Sequence, residues 1–352
     1  ATNPRTVEPE LTQGNLKVAS LNVLNLFNGD GQGAGFPTAR GASTAAELER
    51  QMAKTVAALA AMDADIVGLM EIENDGFTPT SAIAQLTDRL NAVVGAEVYS
   101  FVDGGGVIGT DEIKVALLYK PGKVVTVGSY KILDSSNSIT DEQGPLFVDT
   151  RNRPAFNQKF ALLENGEEIV ISVNHLKSKG SSCGAGDDDR TRAAEALLAF
   201  LAQEYADAPT LIIGDLNSYA QEEPILTVKQ AGYTDLANLF QGSGAYSYVF
   251  GGEFGYLDHA LASASLVDKV VDTVEWHINA DEPIVLDYNV EFKSAQQQLD
   301  FYAADAYRMS DHDPVLISML LKIREDYDGD DDVDQRDIVE LTKAIAKKQV
   351  ID

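Results

Sequence analysis

Cysteine is nearly absent from this 352-residue chain, in which Cys183 is the only one. A single cysteine excludes an intramolecular disulfide, so the chain is not a small secreted scaffold held together by such bonds, whereas a large secreted enzyme stays open. The chain also lacks a run of about 20 uninterrupted apolar residues, which a membrane-spanning helix needs. With 45% hydrophobic residues it can nevertheless bury a large core. We therefore expect a globular protein without stable membrane insertion.

Positive charge is also scarce, because 27 Lys and Arg face 55 Asp and Glu, for a net charge of -28. Such a charge repels polyanions and excludes strong non-specific binding of nucleic acid by the protein as a whole. A phosphate-bearing substrate would need metal cations and a local basic patch. Dense carboxylates suit salty or calcium-rich surroundings, which favours an extracellular protein. The opening ATNPRTVEPE has no signal-peptide pattern, so we expect either a cytosolic chain or a signal already removed.

Strand-like and helix-like segments alternate along the chain. Seven β-rich runs have polar residues at or near one end: LKVASLNVLNLF, ADIVGLMEIE, IKVALLYK, EEIVISVNHLK, PTLIIGDLNSY, YLDHALAS and HDPVLISMLL. Helical patterns lie in TAAELERQMAKTVAALAAM, SAIAQLTDRLNAVV and DDRTRAAEALLAFLAQEY. Hairpin-like segments occur around residues 98–131. This order predicts an α/β sandwich.

Chemically useful side chains recur at the ends of the predicted strands. Taken one at a time, each has a plain explanation as a turn residue, an exposed carboxylate or a hydrogen-bonded structural histidine. Their recurrence at so many strand ends indicates a site held on a rigid scaffold. The residues are Asn22, Glu71, His175, Asp215, Asn217, Asp258, Asp311 and His312.

Oxygen ligands dominate this set. Carboxylate and amide oxygens suit Mg²⁺, Mn²⁺ or Ca²⁺, whereas zinc would need more histidine or cysteine. We expect Glu71, with Asn22 and Asp311, to bind a cation that neutralises a phosphate oxygen and the developing charge on the leaving group.

Hydrolysis also needs an attacking water and groups that handle protons. Asp215, with Asn217 positioning the water, is predicted to orient and deprotonate it. His175 and His312 are predicted to donate hydrogen bonds to the phosphate or to exchange protons, because the reference pKa of histidine is near neutral.

Six ordered motifs between residues 15 and 322 carry a family resemblance: LNVLN, LMEIEN, NHLKS, GDLNS, LDHAL and SDHDP. This set resembles the endonuclease/exonuclease/phosphatase superfamily, whose fold is that of deoxyribonuclease I. The NHLKSKG and RNRPAF motifs resemble those of the secreted bacterial nuclease branch. The resemblance implies a four-layer sandwich in which two packed mixed β-sheets are flanked by helices.

The resemblance also implies roles for individual residues, among them a phosphate contact by Arg153, for which Arg151 is the competing choice. Leu24 stands where some members carry a second carboxylate, which counts against a second metal there. The remaining implied roles are metal binding by Glu71 with Asn22, phosphate contact or proton transfer by His175 and His312, orientation of the nucleophile or phosphate by Asp215 and Asn217, and support of the His312 imidazole by Asp258.

Several further residues admit two interpretations. Lys177 and Lys179 are predicted to supply local positive potential next to the substrate, with a solvated loop as the alternative. For Arg190 and Arg192, a substrate role and a surface role are equally open. The histidines at positions 259 and 277 are predicted to be structural, and Cys183 to be a bystander.

An Asp-rich segment follows the predicted catalytic domain. The stretch DYDGDDDVDQRDIVEL has the spacing of a twelve-residue calcium loop, with ligands at Asp326, Asp328, Asp330, Asp332, Asp334 and Asp337. It resembles half of a dockerin-type or EF-hand-like module, although Asp331 replaces the usual glycine. A disordered acidic tail is the alternative. The predicted limits are 1–14 for an N-terminal extension, 15–322 for the catalytic domain and 323–352 for this appendix.

These observations predict a secreted, divalent-metal-dependent phosphodiesterase that hydrolyses nucleic acid, with DNA favoured and low sequence specificity. Mg²⁺ or Mn²⁺ is expected at the active site and Ca²⁺ at the C-terminal loop, with Ca²⁺ at the active site as an alternative. A phosphatase or a sphingomyelinase-like phosphodiesterase on the same fold is the first rival. A catalytically silent adhesin or scaffold-binding module is the second, and the complete set of catalytic residue types counts against it.

Overall fold

The computed structural model describes residues 5–29, 35–180, 186–206, 208–321, 335–337, 339–340 and 343. The strands in these ranges are β1 (Leu16–Leu26), β2 (Ile66–Glu73), β3 (Ser100–Phe101), β4 (Ile113–Tyr119), β5 (Val124–Leu133), β6 (Thr140–Asp141), β7 (Gly144–Pro145), β8 (Arg153–Leu162), β9 (Glu168–His175), β10 (Thr210–Asp215), β11 (Thr234–Asp235), β12 (Tyr248–Phe250), β13 (Glu253–Gly255), β14 (Asp258–Ala262), β15 (Val270–Glu275) and β16 (Val315–Met319). The helices are α1 (Ala45–Met62), α2 (Ala82–Val94), α3 (Gly186–Tyr205), α4 (Glu223–Gln230), α5 (Leu236–Gln241), α6 (Ala264–Val267) and α7 (Ala295–Asp300).

Two six-stranded sheets form the centre of the molecule. The strand order is β15-β16-β1-β2-β4-β3 in the first sheet and β11-β14-β10-β9-β8-β5 in the second. Each sheet contains one parallel pair, β1 with β2 and β9 with β10, among antiparallel neighbours. Because β1, β2, β9 and β10 are almost entirely buried, they have the near-continuous apolar runs expected of strands covered on both faces. The predicted four-layer α/β sandwich of two mixed sheets flanked by helices is confirmed.

The two sheets pack face to face through small and branched side chains. Gly68 in β2 lies where the faces approach most closely, because a Cβ there would be 2.7 Å from Ile213 Cδ1 and 3.0 Å from Val173 Cγ2. Outer helices cover the other faces. Helix α1 begins at Thr44, whose side chain accepts a hydrogen bond from the Glu47 amide at 3.2 Å, as expected of an N-cap threonine.

The segment around residues 98–131, expected to contain hairpins, divides between the two sheets. Strands β3 and β4 pair antiparallel in the first sheet, but β5 leaves it and pairs with β8 at the edge of the second. The burial patterns explain the difference: β4 is buried along nearly its whole length, whereas most of β5 is partly or fully exposed. An edge strand needs only one hydrogen-bonded neighbour, so sequence proximity to β4 does not fix its partner.

Most of the predicted calcium loop lies outside the described residues, namely Asp326, Asp328, Asp330, Asp332 and Asp334. Asp337 is described, is buried and belongs to a helical stretch at residues 335–337. Calcium binding by this appendix and the three domain limits stay predictions. Among the described residues, no helix combines the length and the apolar character that crossing a bilayer requires.

Candidate active site

A row of polar side chains crosses four neighbouring strands of the second sheet. The register pairs Arg153 of β8 with His175 of β9, His175 with Asp215 of β10, and Asp215 with Asp258 of β14. Directly paired residues project from the same face of a sheet, so these four side chains lie side by side. Just before Asp215, Gly214 has φ +129°, and a Cβ there would be 1.9 Å from the Asn174 carbonyl oxygen. Glycine is therefore needed at this position.

The first sheet contributes Asn22 and Glu71 from the C-terminal halves of β1 and β2. The pairing of β1 with β2 becomes irregular after Asn22, and the backbone of Glu71 takes a left-handed φ of +65°. Leu24 and Asn25 are left-handed as well, at +53° and +49°. Such conformations cost on the order of 1–3 kcal/mol each and cluster at functional sites. The irregularity lets the Asn25 amide donate a hydrogen bond to Glu71 Oε2 at 3.1 Å.

Asp215 Oδ2 is the point on which the two sheets converge. Three nitrogens face this oxygen: Asn22 Nδ2 at 3.5 Å, His175 Nε2 at 3.6 Å and His312 Nε2 at 3.9 Å. The other carboxylate oxygen, Oδ1, accepts a hydrogen bond from the Asn217 amide at 2.9 Å, which fixes the orientation of the group. Distances of 3.5 to 3.9 Å are long for direct hydrogen bonds, as is common in catalytic sites without substrate.

His312 is held by a second carboxylate. Its Nδ1 donates to Asp258 Oδ2 at 2.7 Å, and the Ser247 hydroxyl donates to the same oxygen at 2.6 Å. Burial alone would lower the pKa of His312, but the charges of Asp258 and Asp215 outweigh burial and raise the pKa well above its ordinary value. The His312 imidazole is therefore a cation whose Nε2–H points toward Asp215.

His175 has the opposite electrostatic setting. Burial, followed by the charge of Arg153, holds the pKa of His175 well below its ordinary value, so the ring is neutral. Its Nε2 lies 3.9 Å from Glu71 Oε1 as well as close to Asp215. The buried Nδ1 has no hydrogen-bond partner among the described residues. The two histidines share one pocket in different protonation states, which the sequence did not distinguish.

Glu71 and Asp311 have the properties of ligands for a hard divalent cation. Burial and, next, the charge of Asp311 raise the pKa of Glu71, which indicates two carboxylates that repel one another. A divalent cation bound between oxygen donors would offset that repulsion, so the donor set fits Mg²⁺ or Mn²⁺. Asn22 presents its amide nitrogen to Asp215, while its oxygen accepts the Leu24 amide at 3.0 Å. Metal ligation by Asn22 would require that oxygen to face the cation.

A second group of potential ligands lies deeper. Asp215, Asp258 and His312 offer ligand atoms that lie within 4.8 Å of one another, and all three residues are buried. However, Asp258 Oδ2 already accepts hydrogen bonds from the imidazole and from Ser247. This hydrogen bonding favours proton handling over metal ligation for the deeper group.

The structure separates the two candidate arginines. Arg153 is buried in the polar row, and its Nη2 donates to the Leu176 carbonyl at 2.5 Å, while Nη1 lies 3.9 Å from Asp111 Oδ2. Arg151 instead pairs with Asp189 at the surface. Only Arg153 of these two therefore lies next to His175.

The predicted basic patch is weaker than the sequence indicated. Lys177 is buried and its Nζ donates to the Ser178 carbonyl at 3.3 Å, whereas the charge of Lys179 is paired with Glu222 at 2.5 Å. Arg190 is buried behind these loops and donates from Nη1 to the Lys177 carbonyl at 3.2 Å. Arg192 pairs with Asp141 away from the row. Phosphate contact by the two lysines stays a prediction.

The other two histidines lie outside the convergence on Asp215. His259 is fully buried, with Nε2 2.7 Å from the Ser218 carbonyl oxygen. His277 Nδ1 lies 2.9 Å from Asp313 Oδ2, and its ring stacks on Tyr246 with centroids 3.7 Å apart. Cys183 lies outside the described residues.

Several neighbours of the site carry no recognisable signal in the sequence. Ser247 supports Asp258, and the Tyr248 ring lies 4.6 Å from the His312 ring. Arg40 is close enough that its charge lowers the pKa values of His175 and Arg153. These residues come from loops or a short hairpin without a strand-end pattern, so no periodic signal identified them.

Comparison with solved structures shows the fold. The human Nocturnin catalytic domain with bound sulfate is 14% identical over 88% of this chain and 96% of that chain, with a TM-score of 0.54. A humanized D. rerio TDP2 is 16% identical over 86% and 97%, with a TM-score of 0.52. A Bacteroides thetaiotaomicron mannosyl-6-phosphatase is 16% identical over 87% and 100%, also at 0.52.

Comparison by sequence shows the family. No curated protein sequence matches the chain significantly. The model of the Endonuclease/Exonuclease/phosphatase family matches residues 19–312, well over half of the chain, and this range includes every residue of the polar row. The chain therefore belongs to the endonuclease/exonuclease/phosphatase family.

Proposed function

We propose that the protein is a divalent-metal-dependent phosphodiesterase that hydrolyses nucleic acid, DNA in particular, by attack of water on phosphorus. The observation that carries the proposal is the convergence of Asn22, His175 and His312 on Asp215 Oδ2 at 3.5 to 3.9 Å. The carboxylate can accept a hydrogen bond from a water molecule, while the donors around it can donate to a phosphate oxygen.

Asp215 is the group that positions and deprotonates the attacking water in this proposal. Its Oδ1 is held by the Asn217 amide, so Oδ2 keeps one orientation. Burial raises the pKa of Asp215, which makes the carboxylate a better proton acceptor than an exposed aspartate. The Asn217 side chain in turn donates to the Leu176 carbonyl at 3.1 Å, which ties this loop to the end of β9.

The two histidines and Arg153 act on the phosphate. His312, charged and held by Asp258, donates from Nε2 to a phosphate oxygen and stabilises the negative charge that builds up there. Neutral His175 donates a hydrogen bond to a second oxygen. Arg153 adds a buried positive charge beside His175. Together these groups replace the water that would otherwise solvate the phosphate.

Glu71 and Asp311 would hold the divalent cation. When bound, the cation supplies Lewis-acid stabilisation of charge on phosphate and leaving-group oxygens. The Asn25 amide, which donates to Glu71 Oε2, leaves Oε1 of that carboxylate directed into the site. Replacing Glu71 with glutamine is expected to remove most of the metal affinity, as measured by calorimetric titration with Mn²⁺.

One observation favours a smaller substrate as a second candidate. Lys177 is buried and Lys179 is paired with Glu222, so the rim offers a long polyanion less positive charge than the sequence suggested. A phosphatase acting on a small phosphoester needs only the buried charges of the row. The structural likeness to a mannosyl-6-phosphatase agrees with that alternative, although the likeness to TDP2 and Nocturnin is equally close.

A substrate panel tests the proposal. The metal-free protein should be incubated with plasmid DNA, single-stranded DNA, RNA, hexose phosphates and sphingomyelin vesicles, each with Mg²⁺, Mn²⁺ or Ca²⁺. We expect DNA cleavage with Mg²⁺ or Mn²⁺ and none after EDTA. Hydrolysis of hexose phosphates or sphingomyelin alone would replace the nuclease proposal with the corresponding alternative.

An extracellular setting and a C-terminal calcium loop belong to the same proposal. The net charge of -28 supports the first, and the spacing of the aspartates up to Asp337 supports the second. Calcium is then expected to raise the melting temperature of the full chain by mass action, and this shift should disappear on truncation after residue 322. Identical calcium titrations of the two chains would place the ion elsewhere.

A further inference from the structure

A groove beside the proposed metal ligands is not used by the chemistry described above. It has a volume of about 640 Å³ and lies between the end of β1, the chain before α1 and the loop at residues 284–293. We call it the side groove, and its lining includes Asn25, Arg40, Ile284, Tyr288, Phe292 and Lys293. The groove joins the active site at Asn25, whose amide donates to Glu71 Oε2. A group that extends from the scissile phosphate past Glu71 therefore enters it.

Phe292 is the most exposed large apolar residue among those described. Its relative exposure is 107%, compared with 69% for Ile284 on the same groove. Its backbone has φ +61°, a left-handed conformation that a bulky residue adopts only when the surrounding chain imposes it. A fully exposed aromatic ring on a strained backbone contributes nothing to the core, whereas it offers a flat face to a ligand.

The loop that carries Phe292 is held in place by buried polar contacts. Lys293 Nζ lies 2.5 Å from Asp287 Oδ1, and both side chains are nearly buried. The Val290 amide donates to Glu47 Oε1 of helix α1 at 3.0 Å. The ring is thus displayed by a fixed loop, so little conformational entropy is lost when it contacts a ligand.

The charges of the side groove balance one another. Arg40 and Lys293 face Asp287 and Glu291 within the lining, and Arg40 is further paired with Asp111 at 2.8 Å. A surface with balanced, paired charges is poorly suited to a second phosphate. It is better suited to an uncharged group with a flat face and hydrogen-bonding edges, which describes a nucleobase with its sugar.

The direction of the reaction determines which part of the substrate reaches the groove. In an in-line displacement the leaving oxygen lies opposite the attacking water. In the proposed mechanism water is held at Asp215, and the cation beside the leaving oxygen would be held at Glu71, whose Oε2 is bonded to Asn25 of the groove lining. The nucleoside that departs with the leaving oxygen is therefore the part directed toward Phe292.

We propose that the side groove binds the leaving nucleoside, with Phe292 stacked on its base. The inference rests on the proposed nuclease function and specifies which side of the scissile phosphate is recognised. Stacking of a base on an aromatic side chain typically changes affinity by about tenfold or more. Phe292 then contributes to substrate selection without taking part in bond breaking.

Three dinucleoside monophosphates test the inference: thymidylyl-thymidine and two analogues in which one or the other base is replaced by hydrogen. Product analysis shows which nucleoside leaves without the phosphate. We expect Phe292→Ala to lower kcat/KM about tenfold for the two compounds that keep the leaving-side base, and less than twofold for the compound that lacks it. Phe292→Trp should keep the wild-type values.

The control is Leu163→Ala, which removes an exposed apolar side chain just after β8, outside the groove lining. It should leave all three values unchanged. Three results for Phe292→Ala would overturn the groove assignment while leaving the nuclease function intact. These are an equal loss of kcat/KM on all three compounds, no loss, or a loss that depends on the other base. Hydrolysis of none of the three by the wild type, together with activity on a phosphomonoester, would overturn the nuclease proposal as well.

Discussion

Two histidine–aspartate pairs lie next to each other in this protein. In the inner pair, His312 contacts Asp258 at 2.7 Å, and in the outer pair His277 contacts Asp313 at 2.9 Å. Each ring also lies against a tyrosine, with centroid distances of 4.6 Å for the inner pair and 3.7 Å for the outer pair. The peptide bond between residues 312 and 313 joins the two pairs. Bonding within the pairs therefore does not distinguish a catalytic histidine from a structural one.

The surroundings of the far ring nitrogen make the difference. His312 Nε2 is buried and faces Asp215 at 3.9 Å, whereas the His277 side chain is 31% exposed and lies outside the convergence on Asp215. The aspartates differ as well. Asp313 Oδ1 accepts three backbone amides, from Ile278, Asn279 and Ala280. In the proposed mechanism the inner pair presents a charge to the substrate, whereas the observed contacts of the outer pair hold a loop.

Replacing each histidine gives the largest expected contrast. His312→Ala should lower kcat about a thousandfold, because it removes a cation that donates to the phosphate. His277→Ala should change kcat less than threefold. Steady-state kinetics on single-stranded DNA with Mn²⁺ would measure both, with circular dichroism confirming the fold. Similar losses in both variants would mean that the outer pair also serves catalysis.

Replacing each aspartate by asparagine should separate activity from stability. Asp258→Asn is expected to lower kcat about a hundredfold, because the imidazole loses the charge that keeps it protonated. Asp313→Asn should leave kcat within threefold but lower the free energy of unfolding by about 1 to 2 kcal/mol, since a neutral oxygen accepts the loop amides more weakly. Urea denaturation and kinetics on the same samples would show whether the first variant loses mainly activity and the second mainly stability.

Ser247 provides a smaller test of the inner pair, because its hydroxyl donates to Asp258 while its carbonyl accepts the Asp313 amide at 2.8 Å. Ser247→Ala should lower kcat about threefold to tenfold and shift the pH profile, since Asp258 would keep only one of the two hydrogen bonds to Oδ2. Ser247→Thr retains the hydroxyl and should restore both. An unchanged profile in the alanine variant would show that Ser247 does not position the pair.

Glu275 tests the outer pair through pH-dependent stability. Burial raises its pKa from 4.5 to about 7, so the folded protein keeps this proton where the unfolded chain has lost it. The stability of the wild type relative to Glu275→Gln should therefore fall as pH rises from about 4.5 to 7, by on the order of 2 to 3 kcal/mol. Urea unfolding at pH 5 and pH 8 measures the difference. The control is Glu253→Gln, because Glu253 is exposed. A stability difference between the two proteins that does not change with pH would contradict the raised pKa of Glu275.

The sequence predicted those parts of the site that end buried strands. His175, Asp215 and Asp258 end or begin apolar strands whose register is fixed by burial, so their proximity follows from the sheet. The opposite protonation states of His175 and His312 depend on long-range neighbours such as Arg153, which no local pattern contains. Local patterns therefore predict which residues lie together at the strand ends, whereas the protonation states depend on tertiary contacts that the patterns do not contain.

Loop residues were beyond the reach of the sequence patterns. Arg40 and Phe292 belong to irregular segments, and contacts with distant parts of the chain hold these segments: Arg40 pairs with Asp111, and the loop of Phe292 is bonded to Glu47. Lys179 was predicted to lie next to the substrate, with a solvated loop as the alternative, but its pairing with Glu222, 43 positions away, was not predicted. Strand β5 was expected to form a hairpin with its neighbour in sequence. Its partner is instead β8, which lies further along the chain than β4. Each difference comes from a contact between residues remote in sequence.

The most direct test of the account concerns the water at Asp215. A single-stranded oligonucleotide should be hydrolysed in ¹⁸O-labelled water by the wild type, by Asp215→Asn and by the rim control Glu222→Gln, under single-turnover conditions with Mn²⁺. The account predicts one ¹⁸O atom in the phosphate product and a rate at least a thousandfold lower for Asp215→Asn, with Glu222→Gln close to the wild type. Label absent from the phosphate, or an Asp215→Asn rate within threefold of the wild type, would contradict it.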